Sequence, residues 1–319
     1  MKKIGFPISG KENEFRRALL PSDISSSKTG SFFVFETGYG NVLGYSDGDY
    51  QRVGALVADR ETVCECPVIC IPKPMLGDEY FKLGKTLFGW IHAVQGRDIT
   101  NVLVKNKMTA IAWEEMFEEG RHCFWENNEI AGEAAVLHAL LKWSRLPYGA
   151  CVAVVGRGNV ARGALRILER LGCRVRVYDR ATSHLLRKEI GGYDVIVNAV
   201  LWDIFRKDHI IYDEDLDRMK PGAMIVDISC DERMGIESSR PTTIAEPVYW
   251  YKGVLHYAVD HTPSLFHKNA SKAISSSTYP FLSDLANGTY NKVLEKATII
   301  QEGIIRDDKI MRFQNRAQT

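Results

Sequence analysis

No apolar run in the 319 residues approaches the roughly 18 uninterrupted positions of a membrane helix. The opening ten residues hold two lysines and a five-residue apolar patch broken by Pro7, which is not a secretory leader. A cytoplasmic protein is therefore expected, with no membrane partner. Charge of one sign is equally scarce. Forty-one Lys plus Arg face 40 Asp plus Glu, a formal net charge of +1, so the basic footprint of a protein that grips nucleic acid is missing. The seven cysteines (64, 66, 70, 123, 151, 173 and 230) are odd in number and lie mostly among apolar residues, which argues against a disulfide framework and for reduced thiols. Cys64, Cys66 and Cys70 are wrongly spaced for a zinc knuckle, and Cys70 belongs to the apolar run 67–71, so no metal is expected. Repeats and low-complexity tracts are also absent. What is present, 45% apolar and 25% charged residues, is a globular composition, and at ~150 residues per domain the length implies two domains. Small molecules remain as partners.

Short runs rich in Val, Ile and Phe at 4–8, 31–36, 68–71, 86–91 and 109–113 alternate with helical patterns, the mark of a βα architecture with a buried, mostly parallel sheet. Residues 126–143 predict a long helix, apolar at Ile130, Ala134, Leu137, Leu140 and Leu141. A second series then begins. It predicts strands at 151–155, 174–178, 194–198, 223–228 and 254–259, and helices at 159–171, 183–190 and 213–218. Beyond Pro263 two further helices are predicted, about 264–285 and 290–304, with Gly288 as the stop between them. Since the second series is already complete, these helices are expected to return to the first domain. Residues 314–319 are expected to fray.

The sharpest motif is Gly156-Arg157-Gly158-Asn159-Val160-Ala161-Arg162-Gly163, which follows the strand 151–155. Gly156 permits a tight turn, Gly158 lets backbone approach a pyrophosphate, Ala161 keeps helix and strand close, and the amides of Asn159 and Val160 open the helix. Asp179 stands twenty-three residues after Gly156 at the end of the second strand, where a carboxylate binds ribose hydroxyls. A dinucleotide is the expected cofactor. Asp179 favours NAD by repelling a 2′-phosphate, whereas the adjacent Arg180 offers that phosphate a partner. Val200 and Val259, beside the third and last strands of the series, complete the cofactor set.

Arg16 follows the polar stretch after the first strand, Lys73 sits between Pro72 and Pro74, and His92 closes Phe88-Gly89-Trp90-Ile91. Ligands collect outside the carboxyl ends of parallel strands, so together these residues suggest a site for an anionic substrate with an acid/base. Asp231 occupies the equivalent place after the strand 223–228, and a capping role is the alternative there. His261, in Asp260-His261-Thr262-Pro263, is read as a capping or interdomain residue rather than a catalytic one.

Met219-Lys220-Pro221-Gly222-Ala223, Val226-Asp227-Ile228 and Ser239-Arg240-Pro241-Thr242-Thr243 resemble the alanine dehydrogenase and nicotinamide nucleotide transhydrogenase superfamily, as does the opening motif Lys11-Glu12-Asn13-Glu14-Phe15-Arg16. Within it, Gly89-Trp90-Ile91-His92, the glycine motif through Ala164, and Thr262-Pro263-Ser264-Leu265 are most similar to the N5-(carboxyethyl)ornithine synthases. The resemblance implies two Rossmann-like domains with a cleft between them: a discontinuous substrate domain (1–128 plus 268–319) interrupted by a dinucleotide-binding domain (129–267). It implies NAD(P)H-dependent reduction of an imine formed from pyruvate, or a similar 2-oxo acid, and an amino-acid amine, in a homo-oligomer. Alanine dehydrogenase is the alternative, and a transhydrogenase-like nucleotide-binding subunit a more distant one. By the same resemblance Arg16 and Lys73 bind the oxo acid, His92 is the acid/base, Asp231 helps activate the amine, and Asn128 contacts the cofactor. Two departures stand out. Asp179 replaces a neutral residue of those synthases, which weighs against NADP, and Asp260-His261-Thr262-Pro263 differs from the Ala-Asn-Met/Ile-Pro pattern of alanine dehydrogenases, which weighs against ammonia.

Overall fold

The structure, a computed structural model, describes residues 1–24 and 30–316. The chain divides into two compact units, Met1–Trp125 with His267–Thr319, and Glu126–Phe266. In the first, strands β1 (Ile4–Phe6), β2 (Phe33–Glu36), β3 (Leu56–Ala58), β4 (Val68–Cys70), β5 (Thr86–Gly89) and β6 (Thr109–Ala112) are all parallel. A two-stranded ribbon, β7 (Phe117–Glu118) and β8 (Arg121–His122), follows. Strands β1, β4, β5 and β6 are buried at every position because helices cover both faces. Alternation along the strands fills two cores: Phe6, Phe33, Phe35 and Phe88 enter one, and Val34, Ile69, Leu87 and Ala110 the other.

The second unit carries β9 (Cys151–Val155), β10 (Arg174–Tyr178), β11 (Val195–Asn198), β12 (Met224–Asp227), β13 (Val248–Tyr251) and β14 (Val254–Tyr257) in the order β10-β9-β11-β12-β14-β13. Only β13 runs antiparallel. The helix Trp125–Trp143 crosses the helix Asn159–Arg170 at unusually short range, since a Cβ on Gly132 would lie 1.9 Å from the Val160 carbonyl oxygen and one on Gly163 1.9 Å from that of Glu129. The chain then returns to the first unit through β15 (Thr298–Gln301) and β16 (Ile304–Ile305), completing the order β16-β15-β6-β5-β4-β1-β2-β3.

The mostly parallel α/β sheets match the fold class expected from sequence, but several elements differ. Residues 290–304 are not one helix. A short helix, Lys292–Ala297, gives way to the hairpin β15–β16, because Thr298, Ile299 and Ile300 favour extended backbone and Glu302 and Gly303 both take positive φ (50° and 82°) in a two-residue turn. Residues 264–285 begin as a 3-10 turn, Thr262–Phe266, before the helix His267–Asn287, and Asp213–Arg218 is 3-10 throughout. Gly288 (φ 72°) follows that helix as its stop. Gln314 does not fray. It is buried, and its amide donates to the carbonyls of Ala93 (2.7 Å) and Val94 (3.1 Å) and to Thr100 Oγ1 (3.2 Å). Residues 317–319 of the stretch expected to fray lie outside the described residues.

Candidate functional site

Because β1, β4, β5 and β6 are adjacent and parallel, their carboxyl ends form one edge, from which four loops leave. The structure brings Arg16, Lys73 and His92 to this edge. The first two loops are tied by Ser9, whose hydroxyl donates to the Lys73 carbonyl (2.6 Å) and accepts from the Lys11 amide (3.3 Å). Arg16 is buried, with its guanidinium 4.9 Å from the Trp90 ring centroid beyond β5. Its fork is held by the equally buried Glu14, whose Oε1 accepts from Arg16 Nε (2.8 Å) and from the Arg16 amide (3.0 Å). Arg17, next in sequence, is buried too and donates from Nε to the Tyr39 carbonyl.

His92 is exposed and holds φ at 51°, a conformation uncommon outside glycine. The cause lies in the fourth loop. Glu114 accepts from the His92 amide (2.6 Å) and the Ile91 amide (3.2 Å), fixing the backbone that presents the imidazole. Burial pushes the Glu114 carboxyl up to about 7. Sequence reading missed Glu14, Trp90 and Glu114 as supports. Glu114 was within reach of the same rule that found the others, since it too follows a buried parallel strand.

In the second unit, Gly156 (φ 116°) sits where a Cβ would lie 2.9 Å from the Ala199 carbonyl, so the fold itself demands glycine there. Gly158 differs. It precedes the helix Asn159–Arg170 with ordinary extended backbone (φ −74°), no side chain caps that helix, and an added Cβ would meet nothing within 4 Å. The fold leaves this space bare in front of amides that lack intrahelical acceptors, and a phosphate fits such a cradle. Asn159 and Val160 are half-buried there, while Ala161 is fully buried in the core beneath.

Asp179, at the end of β10, has a divided carboxylate. Its Oδ1 accepts from Thr182 Oγ1 (2.8 Å) and from the amides of Ala181 and Thr182 (both 3.1 Å), bonds that, with Thr182 foremost, hold the carboxyl below its ordinary range. Its Oδ2 lies 3.0 Å from Nε of Arg157, the residue between the two motif glycines. Arg180 is exposed and Asn128 half-buried. Val200 packs over Gly156, where a Cβ would lie 3.5 Å from its side chain. Val259 is buried in the core. His261 is buried and paired with Asp260.

Asp231 follows Cys230 (φ 49°) beyond β12. Beneath that turn lies the buried Asp227, which accepts from Asn198 Nδ2 (2.9 Å) and from the hydroxyl of Ser239, and whose carboxyl burial raises. Sequence reading had Asp227 only within the motif Val226-Asp227-Ile228 and missed it as a support. Among the described residues no group of His, Cys, Asp and Glu is arranged to hold a metal ion, and no helix is long and apolar enough to cross a membrane.

Two Rossmann-like sheets, one with a bare glycine turn and one with a cationic edge, define a dinucleotide-dependent oxidoreductase fold. An L-alanine dehydrogenase structure superposes with a TM-score of 0.82 at 23% identity, covering 98% of this chain and 99% of that one. A transhydrogenase from Sinorhizobium meliloti gives 0.79 at 19%, covering 95% and 100%. The alanine dehydrogenase/PNT N-terminal domain matches residues 7–124 and the C-terminal domain of the same name matches 180–312, so this chain belongs to the alanine dehydrogenase/PNT family. Its relatives include the N(5)-(carboxyethyl)ornithine synthase of Clostridium botulinum, 31% identical over 92% of this chain and 95% of that protein. The synthase of Lactococcus lactis subsp. lactis is 30% identical over 86% and 92%, and the alanine dehydrogenase of Halomonas elongata 29% over 97% and 94%. The protein is an oxidoreductase of this type, acting on amino-acid CH–NH bonds. The glycine turn and Asp179 fall between the two matched spans, so their assignment rests on geometry.

Proposed function

We propose that the protein joins a 2-oxo acid, pyruvate or a close analogue, to the amine of an amino acid and reduces the resulting imine. The carbonyl and amine condense with loss of water, and one hydride and one proton then give a secondary amine. A bound nicotinamide dinucleotide supplies the hydride; Gly156, Gly158 and the amides of Asn159 and Val160 would hold its phosphates, and Asp179 its ribose. Arg16 pairs with the oxo-acid carboxylate while Glu14 keeps the guanidinium oriented, and Lys73 donates to the carbonyl oxygen. His92 gives a proton to the departing hydroxyl as water leaves, the task of a positioned general acid. Asp231 takes the proton from the attacking ammonium.

The observation that carries this reading is the gathering of the Arg16, Lys73 and His92 loops at neighbouring strand ends of one sheet. Similarity to carboxyethylornithine synthases over nine-tenths of the chain supports an amino acid as the amine. A remote carboxylate and ammonium also give such a substrate binding energy with which to orient its reacting amine, energy that ammonia cannot supply. The test is NAD(P)H oxidation with pyruvate against ammonia, ornithine, lysine and other amino acids at equal concentrations of unprotonated amine, with mass spectrometry of the products. Ornithine or lysine should be faster than ammonia and yield a carboxyethyl adduct. Free alanine as the dominant product, with no adduct from any amino acid, would favour alanine dehydrogenase, the reading that similarity to the Halomonas elongata enzyme supports.

A further inference from the structure

We infer that Arg157 selects the dinucleotide: by pairing with Asp179 in the free protein and turning to a 2′-phosphate when one arrives, it makes the site accept the phosphorylated ribose. The inference rests on the glycine turn of the second unit being a dinucleotide cradle.

Taken alone, a carboxylate at the end of β10 repels a 2′-phosphate. Here that carboxylate is not alone. Oδ1 is committed to the turn 179–182 through three hydrogen bonds, and Oδ2 faces the Arg157 guanidinium at 3.0 Å. The pair is close to neutral as a unit, so the repulsion Asp179 would exert is largely cancelled before a ligand binds. Arg157 is also able to move. Its side chain is 67% exposed, it comes from the glycine turn, and its ion pair with Asp179 is the kind of solvated contact worth little to the fold. Its planar fork suits a phosphate better than one carboxylate oxygen does, and Arg180 adds a second cation at the same strand end. For a ribose bearing a free 2′-hydroxyl the balance is different: the hydroxyl must share Oδ2 with the arginine. Arg157 therefore helps one ligand and competes with the other.

Calorimetry with the nucleotide fragments 5′-ADP and 2′,5′-ADP tests this without turnover. The parent should bind both, with 2′,5′-ADP at least as tight. Arg157→Ala should weaken 2′,5′-ADP by about tenfold or more, the scale of a lost charge-assisted contact, while 5′-ADP changes by no more than about twofold or binds tighter. Arg157→Lys, which keeps the charge and loses the fork, should recover part of the loss. A parent that binds 5′-ADP but rejects 2′,5′-ADP, or an alanine variant with an unchanged ratio, overturns the role of Arg157 and leaves the cradle standing. Failure of the parent to bind either nucleotide overturns the cradle and this inference with it.

Discussion

Two glycines of one motif, five residues apart, should respond to the same substitution in opposite ways. At Gly163 an alanine Cβ would lie 1.9 Å from the Glu129 carbonyl oxygen and 2.7 Å from its carbon. The obstacle is backbone, and the reciprocal Gly132 site is as tight against Val160, so no side chain can rotate to relieve it. The helices must separate until the contact reaches an ordinary 3.4 Å or more. Overpacking of this kind costs about 1–3 kcal/mol or more, against which alanine's helix preference returns about 1 kcal/mol. Gly163→Ala should therefore destabilise the protein by roughly 2 kcal/mol and lower Tm by ~4–8 °C. At Gly158 the new methyl meets nothing, and φ of −74° is open to alanine. The smaller unfolded-state entropy stabilises by about 0.4–1 kcal/mol, while alanine as an N-cap costs a similar amount, so Gly158→Ala should unfold within about 1 kcal/mol of the parent. Its defect belongs in binding, because the methyl stands where a phosphate would approach the amides. Urea unfolding of both variants, with dinucleotide binding by calorimetry, separates the effects. A Gly158→Ala protein that binds as tightly as the parent, or a Gly163→Ala protein as stable as the parent, would refute the division of roles.

His92→Asn should lower kcat by ~10²–10⁴-fold with little change in Tm, since the histidine is exposed and asparagine tolerates its left-handed backbone; near-parental kcat with the best substrate pair would make the imidazole structural. Glu114 should leave a mark on pH stability. Its carboxyl lies near 7 in the folded protein against an ordinary 4.5, so the fold holds that proton more tightly than the unfolded chain does. Its contribution is complete below about pH 4.5 and fades as pH rises to about 7; Glu114→Gln should lack this decline, and parallel stability curves would show that the carboxyl titrates normally. Gln314→Ala strips a donor from three acceptors and should cost about 1–3 kcal/mol by urea unfolding, whereas an unchanged midpoint would return the C-terminal residues to the frayed state read from sequence.

The parallel strands other than the partly exposed β3 were legible because continuous runs such as Val152 to Val155 need no partner to announce a buried strand. Most of the antiparallel ones were not. β7–β8, β13–β14 and β15–β16 each turn on a residue and a glycine, Glu119-Gly120, Lys252-Gly253 and Glu302-Gly303, with both φ values positive. Glutamate and lysine are weak signals for such turns beside asparagine and aspartate, so β7, β8, β13, β15 and β16 were absorbed into helices or loops, and only β14 was read as a strand. At the candidate site the residues at strand ends could be found by position alone. Their supports were missed: Glu114, though itself at a strand end, and Asp227 act through bonds to residues far along the chain, and Glu14 holds its neighbour Arg16 through a loop conformation that the sequence does not announce. Arg157 was hidden differently: it fills the variable place of the glycine motif, and its partner Asp179 lies one strand away.

The loop that carries Arg16 is closed by chain made long after it. The Arg17 amide donates to Ser271 Oγ and the Leu20 amide to Ser275 Oγ, links spanning 254 and 255 residues. At ~5–20 residues per second, a ribosome needs about 13–50 s to supply those hydroxyls. Within that interval all of Glu126–Phe266 is synthesised, so the unit with the glycine turn can fold while the cationic edge still waits. β6 waits as well. Its outer side is open until β15 arrives, and an unpaired strand of Thr109, Ala110, Ile111 and Ala112 is an invitation to another nascent chain. Translation pauses between residues 112 and 298 therefore place this enzyme at greater risk of aggregation than pauses near its beginning.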